Sequence, residues 1–211
     1  MQMTDVADKP ELRVTVFSDV ICPFCYIGAA RLERLRDEYD LRVNWCFLEI
    51  HPETPAAGMP VSQLGYDPRR WETMMTALAG LAEEDDLVFA EHTFTTNSRQ
   101  ALLLAEAAKE QGREVFYKLH DALFRAFFRD QENIGDVQVL KRLAAEAGMS
   151  EASVEEAWTE SRFTQRLKQF LVVAQELKVK ATPTFFIGEQ RLDGAVPLEQ
   201  LREAARLALA F

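Results

Sequence analysis

The pattern of apolar and polar residues divides the chain into two strand-bearing ends and a helical middle. Near the start, the stretch ELRVTVFSDV places apolar Leu12, Val14 and Val16 at alternate positions, which is typical of a β-strand. From Pro23 the apolar residues follow helical spacing, and the continuously apolar stretch LRVNWCFLEI at residues 41–50 predicts a second, buried strand. The order strand–helix–strand favours a right-handed crossover that joins two parallel strands.

Helical spacing then extends almost without interruption through the middle of the chain, where the pattern predicts six helices. The first begins at Asp67 and Pro68, which are favourable N-cap and first-turn residues. Gly148 is predicted to end a later helix, because glycine readily adopts the left-handed conformation found there. The acidic run at residues 83–86 is predicted to be a solvated helix end.

Strand character returns near the end of the chain, in TPTFFIG at residues 182–188 and QRLDGA at residues 190–195. The short connection at Gly188 predicts a hairpin between these strands, and a last helix is predicted over residues 198–209. The layout is βαβ, a helical block, then ββα. We therefore predict an α/β fold with a large all-helical insertion.

Two segments that are distant in sequence are expected to form one domain. Residues 11–55 and 178–211 would build the sheet and its flanking helices, and residues 56–177 would form the helical insertion domain. A chain of 211 residues is long enough to bury a sizeable core in this way.

Composition and charge exclude several classes of protein. With 48% hydrophobic and 27% charged residues, the chain matches ordinary globular proteins. No apolar run approaches the roughly 20 residues that a membrane-spanning helix requires. The net charge of −10 argues against nucleic acid as a partner. The N-terminal stretch MQMTDVADKP lacks the features of a secretory signal, so we expect a cytoplasmic protein.

The candidate chemistry lies in the stretch SDVICPFCYIG, where Cys22 and Cys25 are separated by two residues. Cys22 falls where the first strand gives way to a helix, with Pro23 at the first helical position. Unpaired N–H groups and the positive end of the helix dipole stabilise a thiolate at such a position. Cys25 lies one turn further in, where it is placed to resolve a mixed disulfide.

Three interpretations of this pair compete: a structural zinc site, an inert packed pair and a redox-active dithiol. A structural zinc ion requires about four ligands. Cys46 stands alone, and His51, His92 and His120 are scattered without ligand spacing. Cys46 and His120 are each predicted to be core residues, so no metal is expected. A CxxC pair beside a βαβ pattern favours redox chemistry.

Pro183 is the second candidate, because proline is rare at the start of a strand. One interpretation is an ordinary trans proline that opens an edge strand. The other is a cis proline that faces the dithiol, as in thioredoxin-like folds. The CxxC pair and the βαβ…ββα order favour the cis form of the Thr182–Pro183 bond.

Five stretches together resemble the DsbA-like oxidoreductases of the FrnE type, which have a thioredoxin-like fold with an all-helical insertion. These stretches are FSDVICPFCYIG, NSRQALLLAEAAKEQG, LHDALFRAFF, IGDVQVLKRLAAEAGM and ATPTFFIGEQRLDGA. The resemblance implies that Cys22 and Cys25 are catalytic and that Pro183 is the cis proline. Asp19 and Tyr26 match the flanks of the motif.

The chain departs from related proteins at two positions. Phe24 stands where this family commonly has tryptophan and where periplasmic DsbA has a thiolate-stabilising histidine. Val16 replaces the acid that lies beneath the dithiol in thioredoxin and DsbA. Asp19 is therefore a candidate for tuning the dithiol, with capping of the following helix as its alternative role.

The resemblance implies a thiol–disulfide oxidoreductase or isomerase that needs no metal or organic cofactor. Its expected partners are disulfide- or dithiol-containing proteins or peptides, or low-molecular-weight thiols, and the chain is expected to be a monomer or homodimer. Pro23, Phe24, Thr182 and Pro183 are expected to contact the substrate.

Two other functions remain open. One is a glutathione-dependent isomerase or transferase of the 2-hydroxychromene-2-carboxylate isomerase or kappa type, with glutathione as co-substrate. Those enzymes carry serine at the position of Cys22, so the pair of cysteines favours redox chemistry. The other is a non-catalytic binding or chaperone-like module, which would tolerate loss of the dithiol.

Overall fold

The computed structural model describes residues 9–91 and 93–210. Two strands from near the start of the chain and two from near its end form the main sheet, and helices surround this sheet. The strands are β1 Glu11–Ser18, β2 Asp40–Phe47, β3 Met59–Pro60, β4 Phe94–Thr95, β5 Thr184–Ile187 and β6 Gln190–Asp193. The α-helices are α1 Pro23–Glu33, α2 Pro68–Glu84, α3 Arg99–Glu110, α4 Arg113–Phe128, α5 Val137–Ala147, α6 Glu151–Thr159, α7 Ser161–Glu176 and α8 Leu198–Leu209.

The main sheet has four strands in the order β2-β1-β5-β6. β1 and β2 are parallel, with Glu11 opposite Asp40. β5 runs antiparallel to β1, and β6 runs antiparallel to β5, with Ile187 opposite Gln190 across the turn. The predicted βαβ and ββ units are therefore confirmed, and the sheet brings the start and the end of the chain together.

Alternate residues of β1 pack into different halves of the core. Val14 and Val16 belong to the larger apolar cluster, on the side of the sheet where α1 and α8 lie. Phe17 faces the other way and packs with Cys46 and with Ala174 of α7. Because the two faces are covered by different helices, the sheet is buried on both sides near the carboxyl ends of β1 and β2.

The helices between β2 and β5 pack around α3, which contacts α4, α5, α6 and α7. Its residues Leu102 and Leu104 are fully buried. The predicted helix signals are confirmed here: the Asp67 carboxylate accepts a hydrogen bond from the N–H of Arg70, and Gly148 ends α5 in the left-handed conformation. The predicted domain boundaries stay a proposal.

Several element boundaries differ from the predictions. The second strand ends at Phe47 rather than at residue 50, and β5 begins at Thr184, so that Pro183 precedes the strand. The β3–β4 pair was not predicted, because two-residue strands are too short to show a periodic pattern.

One prediction on the helical part is wrong. The acidic run at the end of α2 is not wholly solvated, because Asp85 is buried and pairs with Arg31 of α1 at 2.5 Å. Arg31 also donates hydrogen bonds to the carbonyl oxygens of Ala195 and Val196, each at 3.0 Å. One guanidinium therefore connects α1, α2 and the segment before α8. Among the described residues, no helix combines the length and apolarity needed to cross a bilayer.

Candidate dithiol site

The two cysteines lie at the start of α1, directly after β1. Cys22 is the N-cap residue and Pro23 takes the first helical position. The carbonyl oxygen of Cys22 accepts the N–H of Cys25 at 3.0 Å, which places both residues in the first turn of the helix. Both are free thiols, and both are buried. The fold thus presents two sulfurs from one turn at the carboxyl end of a central strand.

The two thiols have opposite proton affinities. A hydrogen bond from the Cys25 thiol lowers the pKa of Cys22, and a hydrogen bond with the Thr182 side chain lowers it further, although burial opposes both. Burial raises the pKa of Cys25 well above its ordinary value of 9.0, and the charge on Cys22 raises it further. Cys22 therefore ionises first, and Cys25 keeps its proton.

The segment before β5 closes one side of the site. The Thr182–Pro183 peptide bond is cis, the isomer that the sequence predicts. The Thr182 carbonyl oxygen lies 3.4 Å from the Cys22 sulfur and accepts a hydrogen bond when the thiol is neutral. On the other side of this segment, the Pro183 carbonyl oxygen accepts the N–H of Gly194 at 2.8 Å. Residues about 160 positions apart thus form one site.

Gly28 permits α1 to approach Pro183 closely. The sequence did not predict this residue to be part of the site. A Cβ at Gly28 would lie 2.9 Å from Phe185 Cζ and 3.0 Å from Pro183 Cγ. Contacts this short require a shift of the proline ring, of the phenyl ring or of the helix. No local pattern signals this role, because the contact is made with a segment far along the chain.

Pro23 and Phe24 are partly exposed at the start of α1, and Phe24 also packs against the main core. Val16, in contrast, is buried in that core and brings no ionisable group beneath the dithiol. The substrate-contact roles predicted for Pro23 and Phe24 stay predictions. The partial exposure of both side chains is compatible with them.

Asp19 is fully buried beside the dithiol. Its Oδ1 accepts the N–H of Ile21 at 3.3 Å, and its Oδ2 accepts the N–H of Ile50 at 2.8 Å and the Ser98 hydroxyl at 3.0 Å. These three donors lie outside the first turn of α1, which begins at Pro23, so the alternative role of Asp19 as a cap of this helix gains no support from its hydrogen bonds. Burial raises the pKa of Asp19 to about 7, against the effect of the three donors.

His51, Tyr66 and Trp71 form a small aromatic cluster next to the start of α2. The Tyr66 hydroxyl lies 3.1 Å from His51 Nε2, and Trp71 stacks on the Tyr66 ring with centroids 5.6 Å apart. Burial raises the pKa of Tyr66, and the negative charge of Cys22 raises it further. Tyr66 therefore lies within electrostatic range of the reactive sulfur. Tyr66 was not predicted, because it lies in a loop without a periodic pattern.

Cys46 is separated from the dithiol by the sheet. Its side chain packs with Phe17 and Ala174 in the smaller core cluster, whereas Cys22 and Cys25 belong to the larger one. Burial raises the pKa of Cys46 to about 11, so it stays a neutral thiol. The prediction that it is a core residue is confirmed.

His120 is likewise buried, as predicted, and it lies in a cage of aromatic rings. The centroid of its ring is 4.4 Å from that of Trp45 and 4.9 Å from that of Phe124. Its Nε2 has no hydrogen-bond partner among the residues that the structure describes. Within those same residues, no cluster of three or more His, Cys, Asp or Glu side chains is arranged to hold a metal ion.

Solved structures share this fold. A probable DsbA oxidoreductase, SCO1869 from Streptomyces coelicolor, superposes with a TM-score of 0.82 at 24% identity, over 95% of this chain and 91% of that one. A 2-hydroxychromene-2-carboxylate isomerase superposes with a TM-score of 0.73 at 21% identity, over 92% of this chain and 95% of that one. At these identities the two likenesses establish the fold alone.

Sequence comparison extends over nearly the whole chain. The uncharacterized protein YwbO of Bacillus subtilis (strain 168) is 28% identical over 199 residues, which cover 92% of this chain and 95% of that protein. The family model of the DSBA-like thioredoxin domain matches residues 13–206. With its CxxC pair at the start of α1 and its cis proline before β5, the chain belongs to the family of DSBA-like thioredoxin domains.

Proposed function

We propose that this chain is a thiol–disulfide oxidoreductase or isomerase that acts on disulfides or dithiols through Cys22 and Cys25. One observation carries the proposal: two neighbouring thiols share a hydrogen bond that lowers the pKa of Cys22 and raises that of Cys25. This asymmetry supplies a nucleophile that ionises more readily than an ordinary thiol and a second thiol that keeps its proton until the resolving step.

In the reducing direction, the Cys22 thiolate attacks one sulfur of a substrate disulfide. A Cys22–substrate S–S bond forms, the substrate S–S bond breaks, and the first substrate sulfur leaves as a thiolate that takes up a proton. Cys25 then loses its proton and attacks Cys22 Sγ. The Cys22–Cys25 bond forms and the second substrate sulfur leaves. In the oxidising direction, the same steps run in reverse, and a substrate dithiol reduces the Cys22–Cys25 disulfide.

The substrate is proposed to dock between the start of α1 and the Thr182–Pro183 segment. Thr182 contacts the Cys22 sulfur through its backbone carbonyl, so this segment is near enough to meet a substrate bonded to that sulfur. The partly exposed side chains of Pro23 and Phe24 offer an uncharged surface on the other side. Proteins, peptides and small thiols with an accessible disulfide would all meet these requirements.

A glutathione-dependent isomerase is the second candidate, because the fold also matches that of a 2-hydroxychromene-2-carboxylate isomerase. The two cysteines separate the candidates. An isomerase that only positions the glutathione sulfur needs one hydrogen-bond donor at Cys22 and no thiol at Cys25. Retention of both thiols, with unequal proton affinities, supports disulfide exchange.

The proposal is tested by the reduction of insulin and of a small aromatic disulfide by wild type, Cys22→Ser, Cys25→Ser and Cys46→Ser. Cys22→Ser should slow both reactions at least about 100-fold, because the serine hydroxyl is not ionised and is a poor nucleophile. Cys25→Ser should accumulate a mixed disulfide that mass spectrometry detects. Cys46→Ser, which alters a thiol across the sheet, should retain the wild-type rate. Full activity of Cys22→Ser would refute the proposal.

The glutathione-dependent alternative is tested with the same proteins. Turnover of a glutathione adduct of a small aromatic substrate by Cys25→Ser, at the wild-type rate, would favour the isomerase. Alkylation by iodoacetamide over a range of pH then identifies the ionised sulfur. The modification of Cys22 should have its midpoint below pH 9, whereas Cys25 should stay unmodified in the folded protein.

A further inference from the structure

Asp19 lies where three segments of the chain meet. Its carboxylate accepts hydrogen bonds from Ile21, which leads into α1, from Ile50, which follows β2, and from Ser98, which is the N-cap residue of α3. No part of the Asp19 side chain reaches solvent. The dithiol helix, the main sheet and the helical middle of the chain therefore share one buried carboxyl group.

Charged groups near Asp19 oppose its ionisation. Glu49 raises the pKa of Asp19, although its carboxylate is itself paired with Arg99 at 2.7 Å. Asp19 in turn raises the pKa of Cys22. Because an interaction between two titrating groups is reciprocal, a thiolate at Cys22 favours the protonated form of Asp19. Burial raises the pKa of Asp19 to about 7, so a neighbouring charge alters how far this carboxyl group is protonated at neutral pH.

We propose that Asp19 is a redox-linked proton site: its carboxyl group holds a proton while Cys22 is a thiolate and releases it when the Cys22–Cys25 disulfide forms. This inference rests on the proposed function, since it requires that the dithiol changes between two redox states. Asp19 thereby takes the place of the acid that Val16 cannot supply beneath the dithiol.

The proton count of the reaction gives Asp19 a definite role. A substrate dithiol that reduces the Cys22–Cys25 disulfide delivers two electrons and two protons, while one S–S bond breaks and the substrate S–S bond forms. One proton stays on Cys25 Sγ. Cys22 keeps none in the thiolate form that the proposed exchange requires. The second proton then goes to the Asp19 carboxylate instead of the solvent.

Ser98 is the hydrogen-bond partner of Asp19 that can adapt to both protonation states of the carboxyl group. The backbone N–H groups of Ile21 and Ile50 can only donate, and they stabilise the carboxylate. A serine hydroxyl can donate to a carboxylate and can accept from a carboxylic acid after rotation. Ser98 can therefore keep its hydrogen bond in both states, and the protonation of Asp19 affects the N-cap residue of α3.

The inference is tested by the equilibrium between the protein disulfide and glutathione. Two glutathione molecules supply two protons for every disulfide that they reduce. If the reduced protein holds only the proton of Cys25, the equilibrium constant rises tenfold per pH unit as one proton is released. If Asp19 takes up the second proton, that dependence flattens near pH 7. Wild type should change less than about threefold between pH 6.5 and 7.5, and Asp19→Asn about tenfold.

Two serine variants allow the test to be made even if Asp19→Asn does not fold. Ser98→Ala removes a donor that stabilises the carboxylate, so the flat region should move to higher pH. Ser150→Ala removes the N-cap serine of α6, which bonds only within its own helix, and should match wild type. A shift with Ser98→Ala therefore supports the role of Asp19 even if Asp19→Asn does not fold.

The possible failures are distinct. If Asp19→Asn and Ser98→Ala both follow the wild-type pH dependence, Asp19 does not exchange the proton and the inference is wrong, while disulfide exchange stands. If wild type forms no Cys22–Cys25 disulfide with oxidised glutathione at any ratio, the proposed function fails together with this inference.

Discussion

Arg31 and Asp85 form a buried ion pair that joins the dithiol helix to the end of α2. The Arg31 Nε and an Asp85 carboxylate oxygen are 2.5 Å apart, and the two side chains are only 2% and 3% exposed. Asp85 also pairs with Arg34 at 3.1 Å, so Arg31 in the last turn of α1 and Arg34 directly after it contact one carboxylate. The orientation of α1, which carries both cysteines, therefore depends on a residue from the helical middle of the chain.

Asp85→Asn should destabilise the protein by about 3 kcal/mol, because the buried guanidinium of Arg31 then keeps only the exposed carboxylate of Glu84 as an ionic partner. The free energy of unfolding from urea titrations measures this effect. The control is Asp130→Asn, which removes an exposed ion pair with Arg129 and should cost less than about 1 kcal/mol. Equal costs for the two variants would show that the buried pair does not hold α1 in place.

The close approach of α1 to Pro183 gives a second prediction. Gly28→Ala introduces a methyl group 2.9 Å from the Phe185 ring and 3.0 Å from the Pro183 ring. We expect a loss of stability of about 1–3 kcal/mol from overpacking. We also expect disulfide exchange to slow by about tenfold or more, since displacement of the Pro183 segment misaligns the site.

Gly80→Ala is the matched control for this substitution. Gly80 also lies within an α-helix, but a Cβ at that position meets no heavy atom within 4 Å. Alanine there should stabilise the protein by up to about 1 kcal/mol through its greater helix propensity, with no effect on exchange. If Gly28→Ala behaved in the same way, the contact with Pro183 would have no part in the site.

The sheet and the dithiol could be predicted from the sequence because their signals are local. The alternation of Leu12, Val14 and Val16 identifies β1, and the placement of Cys22 before Pro23 identifies the start of α1. Pro183 could be predicted for a similar reason, since a proline next to a strand needs an explanation. Cys22, Pro23 and Pro183 each differ from the pattern of the residues around them.

The rest of the site depends on contacts across long stretches of chain. Tyr66 and His51 come together between loops, and Gly28 is constrained by residues of another strand segment. Asp85 looks like part of an acidic surface run, because nothing in the sequence indicates that Arg31 will be buried beside it. Pairings of this kind follow from packing of the finished fold and leave no periodic trace.

The buried carboxyl of Asp19 should weaken the fold as pH rises. Its pKa is raised from an ordinary value of 3.8 to about 7, so the unfolded chain loses its proton first. The protonated Asp19 carboxyl contributes its full stability below pH 3.8, and this contribution is lost as pH rises through about 7. The pKa shift of Asp19 corresponds to about 4 kcal/mol of unfolding free energy. Asp19→Asn, which does not titrate, should lack this loss in urea titrations of the reduced protein.

The control for Asp19 is again Asp130→Asn. Its side chain is exposed, and the hydrogen bond from Arg129 lowers its pKa, so its effect on stability has the opposite sign. The difference between Asp19→Asn and wild type should grow between pH 4 and 7 and then stay constant. A difference that is independent of pH would mean that the Asp19 carboxyl titrates alike in the folded and unfolded chains.

His120 should have the opposite effect to Asp19 on the pH dependence of stability over much of the same pH range. Burial lowers the pKa of His120 from 6.5 to about 3, so its neutral form is required by the fold. The stability that this group contributes is complete above pH 6.5 and is lost as pH falls toward 3, by about 5 kcal/mol in all. Between pH 4 and 6.5 the effects of the two residues therefore nearly cancel in wild type.

His120→Phe should reveal the cancellation. The phenyl ring fits an aromatic cage and removes the unpaired Nε2, so stability at pH 7.5 should be unchanged or rise by about 1 kcal/mol. Toward pH 4 the variant should become more stable than wild type by several kcal/mol. In the variant the pH dependence from Asp19 remains, and the loss of stability from protonation of His120 is absent. His51→Phe, which removes a half-buried imidazole beside Glu53, is the control. Parallel pH curves for His120→Phe and wild type would show that the His120 ring is protonated without unfolding.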